Sequence, residues 1–383
     1  MSVTAARGFR AAGIAAGIKQ NGSRDLALVV NDGPGGAAAG VFTANRVQAA
    51  PVQWSRRILA DGTVRAVVLN SGGANACTGP QGLADTRATA ERTAGRLGLD
   101  VSQVAVCSTG LIGVPLPMDR LLPGVDTAAG RLSGDGGEDA ARAVMTTDTV
   151  HKTAAVTQDG WTVGGMAKGA GMLAPGLATM LVVLTTDADV DAPALEDALR
   201  AATRVTFDRV DSDGCMSTND TVLLLASGAS GVTPQYAGFA EAVRAVCADL
   251  ARQLVGDAEG ASKEIRVEVV GAASEDDAVE VGRSVARNNL LKCAVHGEDP
   301  NWGRVLSAVG TTSAVFAPDR LSVAINDVWV CKDGSVGEDR ALVDMTGREV
   351  RITVDLAEGA DHAVVWTNDL TADYVHENSE YSS

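Results

Sequence analysis

The residues best placed to do chemistry meet at one junction, Ala178-Thr179-Met180. A Gly/Pro-rich arm, KGAGMLAPG, precedes it, and the apolar run TMLVVLTTDA follows it as an expected buried strand. A threonine hydroxyl is a poor nucleophile, because its proton is held far above neutral pH, but an adjacent α-amine can accept that proton. Cleavage at 178/179 would create such an amine, held by the strand while the flexible arm moved away. An ordinary strand-starting threonine has the same pattern. The second candidate is CSTGLIG at 107–113, a strand running into a Ser-Thr-Gly turn, where freed backbone N–H groups and a hydroxyl could bind a developing oxyanion. A plain strand-ending turn fits that stretch equally well.

Other chemistries find no support. The chain has no GxSxG, HExxH or GxxxxGK[ST] motif. His151, His296, His362 and His376 form no ligand-spaced pair, which argues against a histidine metal site. Asp208, Asp211, Asp213 and Asp220 crowd into DRVDSDGCMSTND without the spacing of a calcium loop, so a hydrogen-bonded turn at Asp213-Gly214 is expected. KGAGMLAPG lacks the Gly-Lys-Thr end of a phosphate loop and precedes a strand, where a dinucleotide loop would follow one.

The elements that would position these residues alternate between types. Val/Leu/Ala-rich runs at 25–32, 38–45, 64–79 and 103–110 read as strands that end in glycine turns, with helices over 83–97 and 137–145 between them. Gly, Ala and Pro are expected to hold the first part of the stretch 161–190 open, ahead of TMLVVLTTDA. Downstream, Pro193 starts a helix to about 203, and Phe239, Val243, Val246, Leu250 and Leu254 recur at helical spacing within 236–255. A strand at 264–271, a helix at 275–291 and strands at 321–325, 328–332, 349–355 and 362–367 complete a mixed α/β (α+β) chain without internal repeats.

Composition sets the outer limits. With 383 residues, 46% hydrophobic and 21% charged, the chain can bury a large core. A net charge of −16 would repel phosphate backbones, which argues against nucleic acid. Aromatic residues are 3% against 43 glycines, so Ala, Val and Leu must pack closely. Cys77, Cys107, Cys215, Cys247, Cys293 and Cys331 form no CxxC pair and are expected as buried reduced thiols. The first 25 residues lack an uninterrupted apolar stretch and no run reaches about 18 apolar residues, so a cytoplasmic location and no membrane partner are expected.

KGAGMLAPGLATML closely resembles the ornithine acetyltransferase (ArgJ) family, whose members cut themselves before the Thr of the ATML segment. NSGGANACTG at 70–79, CSTGLIG at 107–113, MTTDT at 145–149, EGASK at 259–263, GEDPNWGRV at 297–305 and the terminal NSEYSS resemble that family's blocks in order. The resemblance implies an αββα sandwich of the self-processing DmpA/ArgJ-like kind, cut between Ala178 and Thr179 into fragments 1–178 and 179–383 that stay associated, as a heterotetramer or larger. It makes Thr179 the nucleophile, Thr109 and Gly110 the oxyanion hole, and Thr146, Lys168, Thr179, Glu259, Asn378 and Ser383 the substrate-binding residues. Lys168 supplies charge for an α-carboxylate and Glu259 for an amino group. His151, Gly73 and Ser383 depart from residues common in that family, although the hydroxyl at 383 is kept.

The implied activity is ping-pong transfer of acetyl from N-acetylornithine to glutamate in arginine biosynthesis, without metal or cofactor, with acetyl-CoA open as a further donor. Two alternatives stand beside it. One is an N-terminal-nucleophile amidohydrolase or aminopeptidase of the same self-processing kind, with water as acceptor. The other is an uncut binding protein for acetylated amino acids.

Overall fold

Strands that are buried at every position must be covered on both faces, and that requirement sets the architecture. The computed structural model describes residues 2–174 and 180–380. The N-terminal part runs β1 (Phe9–Ile14), β2 (Leu26–Asn31), β3 (Ala38–Phe42), α1 (Ala50–Ile58), β4 (Ala66–Ser71), α2 (Gly79–Leu97), β5 (Val104–Thr109), α3 (Met118–Ala129) and α4 (Gly137–Ala143). It continues through β6 (Lys152–Gln158), β7 (Trp161–Lys168), β8 (Leu181–Thr186), α5 (Ala192–Val205), β9 (Thr221–Ala226) and α6 (Tyr236–Gly256). The last part holds β10 (Glu264–Ala272), α7 (Glu275–Ala286), α8 (Asn289–His296), α9 (Trp302–Val309), β11 (Ser322–Ile325), β12 (Val328–Lys332), β13 (Ser335–Val336), β14 (Glu349–Asp355), β15 (Asp361–Asn368) and α10 (Ala372–Glu380).

One sheet has the order β1-β2-β4-β5 and a second has β3-β9-β8-β7-β6. Only β4 with β5, and β8 with β9, run parallel within them. Successive residues point to opposite faces of a strand. Ala27, Val29, Val67 and Leu69 therefore meet Leu181, Val183, Leu223 and Leu225 between the two sheets. Leu26, Leu28, Val68 and Val106 turn the other way, onto Ala90, Leu121 and Val125 of α2 and α3. On the far side, Val182, Leu184, Val222 and Leu224 pack against Leu195 and Leu199 of α5 and Val243, Val246 and Leu250 of α6. The result is the αββα sandwich that the resemblance implied.

A third sheet, β13-β12-β11-β14-β10-β15, stands beside it. Its inner face, including Ile265, Val267, Val350 and Ile352, is covered by α7 to α9 through Val281, Val285, Leu291, Val305 and Val309. β10 shows the half-buried alternation expected of 264–271. The two parts are joined by main-chain bonding of Asp211 N–H to the Trp366 carbonyl at 2.8 Å and by the Ser212 hydroxyl on Asn368 at 2.8 Å.

Three expectations are corrected. Residues 161–168 do not form part of an open arm: they are β7, paired on both sides and buried at all eight positions. Cross-strand pairing and burial of Trp161, Val163 and Met166 outweigh the local bias of its glycines. The helix expected over 275–291 is two, because the Asn288 side chain accepts the Leu291 N–H at 3.0 Å and caps a new helix. All six cysteines are free, but Cys77, Cys215 and Cys293 are exposed, so burial holds only for Cys107, Cys247 and Cys331. Strands β1, β6, β9 and β13 and helices α1, α3, α9 and α10 had no counterpart in the sequence reading.

Candidate active site

The turn after β5 is shaped by Gly110, which sits at φ +126° with its Cα pressed on the loop that follows β4. A Cβ there would lie 2.6 Å from both Gly72 C and Gly73 N, so only glycine fits. Gly73 N–H donates to the Thr109 carbonyl at 3.0 Å and Ala74 N–H to the Leu111 carbonyl at 2.9 Å, which locks the two loops together. Asn219 clamps them from below, its side-chain amide donating to the carbonyls of Ala74 at 2.6 Å and Ser108 at 2.8 Å.

Lys168 ends β7 and is buried, its Nζ donating to the Thr109 hydroxyl oxygen at 3.1 Å. A hydroxyl that accepts from an amine keeps its own proton free to donate elsewhere. The Thr109 hydroxyl can thus donate to an acceptor placed in the pocket. Burial holds the Lys168 ammonium below its ordinary pKa, while Asp148, Asp220 and Glu259 pull it upward. Asp148 stands the other way. Burial alone would raise its carboxyl, but Lys168, Lys152 and the Thr146 N–H overcome that and keep it below the usual value.

Glu259 lies just after α6, its N–H tied to the Ala170 carbonyl at 3.0 Å. Asn378 on α10 donates to its carboxylate at 3.0 Å. Gly171 gives that carboxylate room, since a Cβ on it would fall 2.5 Å from Glu259 Oε2.

These segments close around one pocket of about 80 Å³, whose walls include Thr109, Gly110, Thr146, Lys168, Glu259 and Asn378. About 10–15 Å³ of such space holds one water, so the pocket takes a few waters or a small acyl group. Gly110 and Thr146 also wall a cleft of about 1160 Å³ on the outer side. All six of the expected site residues that fall among the described residues therefore meet in one place. Ala178, Thr179 and Ser383 lie outside the described residues.

Met180, next in the chain after Thr179, donates its N–H to Asp220 Oδ1 at 3.1 Å. Asp220 is fully buried, its Oδ2 has no hydrogen-bond partner among the described residues, and burial pushes its pKa well above the ordinary carboxyl value. Sequence reasoning placed Asp220 in a turn-forming acidic cluster. The structure disperses that cluster: Asp211 pairs with Arg287 at 2.7 Å, and Asp213 accepts the Cys215 N–H at 3.1 Å in the expected turn. Among the described residues, no three His, Cys, Asp or Glu side chains are grouped to hold a metal ion.

The family model described as the ArgJ family matches residues 10–383. The chain belongs to the ArgJ family. Arginine biosynthesis bifunctional protein ArgJ of Streptomyces coelicolor is 75% identical, with 100% of both chains covered. The Streptomyces avermitilis protein of the same name is 76% identical over the same span. A crystal structure of the arginine biosynthesis bifunctional protein from Bacillus halodurans is 36% identical with a TM-score of 0.50, covering 52% of this chain and 98% of its own. As an ArgJ-family member the chain is an acyltransferase of arginine biosynthesis.

Beyond the expected residues, Asn219 lines this ArgJ-family site and Asp148, Lys152, Asp220 and Asp257 support it from behind, none of them picked out as site residues from sequence. Three of them stood inside noticed stretches: Asp148 is the aspartate of MTTDT, and Asn219-Asp220 closes the acidic stretch. Lys152 and Asp257 carried no local signal. Among the described residues, no helix is long and apolar enough to cross a membrane.

Proposed function

We propose that the chain is a glutamate N-acetyltransferase that moves acetyl from N2-acetyl-L-ornithine to L-glutamate through Thr179, after cutting itself between Ala178 and Thr179. The observation that carries this reading is the convergence of Thr109, Gly110, Thr146, Lys168, Glu259 and Asn378 on one acyl-sized pocket. One buried cation and one carboxylate in that pocket match the two charged ends of an amino acid.

In the first step the Thr179 hydroxyl adds to the Ala178 carbonyl, the C–N bond breaks and an ester forms, and water then opens it to leave fragments 1–178 and 179–383. The new α-amine acts as base. It takes the hydroxyl proton as the oxygen attacks the acetyl carbonyl of N-acetylornithine. Thr109 O–H and Gly110 N–H stabilise the oxyanion, and the proton passes to the departing ornithine amine. The amine of glutamate attacks the acetyl-threonine ester in the second half and releases N-acetylglutamate. The Bacillus halodurans chain aligns along nearly all its own length with only 52% of this one, which accords with a protein that exists as two fragments. The two fragments remain associated in this reading.

Use of acetyl-CoA as a further acetyl donor is part of the proposal, in keeping with the bifunctional name of the Streptomyces relatives. A Thr179→Ala protein is expected to run as one band and transfer no acetyl. Parallel assays with N-acetylornithine and with acetyl-CoA read the two donors separately. Release of acetate without N-acetylglutamate would favour the hydrolase alternative.

A further inference from the structure

Three substrate-pocket groups come from separate segments: Thr146 from the loop before β6, Lys168 from the end of β7, and Glu259 from the turn after α6. Behind the pocket, and not among its walls, lies Lys152, whose side chain is 0% exposed. Its Nζ sits 2.7 Å from Asp148 Oδ1 and 2.5 Å from Asp257 Oδ2. Each carboxylate in turn holds main chain. Asp148 accepts Thr146 N–H at 2.9 Å and Gly169 N–H at 2.7 Å, the residues on which Thr146 and Lys168 depend for position. Asp257 accepts Thr149 N–H at 3.1 Å and the Thr149 hydroxyl, and it caps α6 two residues before Glu259.

The charges alternate along this line. Asp257, Lys152, Asp148 and Lys168 read minus, plus, minus, plus, and Lys168 ends on the Thr109 hydroxyl. Burying such charges is expensive, and an apolar replacement of similar volume can be as stable as a buried ion pair, so stability alone is a weak reason for the arrangement. Asp257, Lys152 and Asp148 are joined by short charge-assisted bonds, which fix distances because each has a narrow length and direction, while Lys168 is held to this line through space by charge and through the Gly169 N–H on Asp148. A small error in such distances costs binding, since two charged ends of one small molecule must be met at once.

We infer that Lys152 is a positioning residue that sets the spacing of Thr146, Lys168 and Glu259 and thereby the enzyme's affinity for its amino-acid substrates. The inference rests on the proposed reading of that pocket. It concerns a residue that touches no substrate and acts through Asp148 and Asp257.

The test uses the whole protein as Lys152→Met and as Lys152→Met/Asp257→Asn. The single change leaves two buried carboxylates facing an apolar side chain, and the double change removes one of those charges. The single variant is expected to melt at a lower temperature and to show KM values for N-acetylornithine and glutamate raised tenfold or more, with kcat reduced less than threefold. The double variant is expected to regain thermal stability while its KM values stay raised. KM within twofold of the parent in either variant, or KM recovering together with stability in the double variant, overturns the inference. So does failure of both variants to fold, which would make the residue purely structural. Glu259→Gln and Thr146→Val serve as controls. If they leave KM unchanged, the pocket reading itself fails. If they raise it while the Lys152 variants do not, the positioning role alone is lost.

Discussion

Replacing Gly110 by alanine tests the proposed oxyanion turn with the smallest possible change. The added Cβ would lie 2.6 Å from Gly72 C and from Gly73 N, both backbone atoms that cannot rotate away. Relief to an ordinary contact near 3.4 Å requires the turn to move by about 0.8 Å, and the residue must also leave φ +126°, a region closed to L side chains. A displacement near 1 Å at a reacting centre costs about 100-fold, and loss of one oxyanion donor about 100- to 1000-fold in kcat. Strained backbone of this kind costs about 1–3 kcal/mol of stability, which a folded enzyme of this size can absorb. Steady-state kinetics should therefore give kcat lower by at least 100-fold with KM little changed, beside a modest shift in denaturant unfolding. Slower self-cleavage on a denaturing gel should accompany it if one hole serves both steps. A folded Gly110→Ala protein with parental kcat would refute the reasoning.

Gly171→Ala should act on binding instead, because its Cβ would displace the Glu259 carboxylate, a mobile side-chain end, from 2.5 Å; KM is expected to rise about tenfold, near 1.4 kcal/mol, with thermal stability almost unchanged. Asp211 gives a pH signature. Burial first, against the pull of Arg287, raises its carboxyl to about 6 in the folded protein. A carboxyl raised on folding contributes stability below its unfolded value and loses that contribution as pH rises through the folded one. Asp211→Asn should therefore gain about 2–3 kcal/mol relative to the parent on going from pH 4 to pH 7, read as a difference of urea unfolding curves, and a pH-independent difference would contradict this. Asn219→Ala removes the donor that holds the carbonyls of Ala74 and Ser108, and should lower kcat and stability together.

What was legible in the sequence depended on how local the cause was. The buried strands 26–31, 66–71, 104–109 and 181–186 each open on an uninterrupted apolar run of at least four residues, and α6 repeats its apolar residues at helical spacing, so both could be read directly. β7 could not, because Gly164, Gly165 and Ala167 gain their strand conformation from β6 and β8 on either side. Helix α10 has no buried residue and so no apolar stripe to read. In the pocket, Thr109, Gly110, Thr146, Lys168, Glu259 and Asn378 came from family resemblance, since each alone is an ordinary polar residue. The Asp148, Lys152 and Asp257 line joins positions about a hundred residues apart, and Asp220 meets Met180 only through sheet packing. Nothing in sequence spacing marks contacts of that kind.

The central claim is that Thr179 becomes a chain terminus and then carries the acetyl group. Intact-mass analysis of the purified protein, before and after brief mixing with N-acetylornithine, tests it most directly. The account predicts fragments ending at Ala178 and beginning at Thr179, with the second heavier by one acetyl group after mixing and the increment mapped to residue 179. A fully active protein with one unbroken chain, or an acetyl group mapped to any other residue, would contradict it.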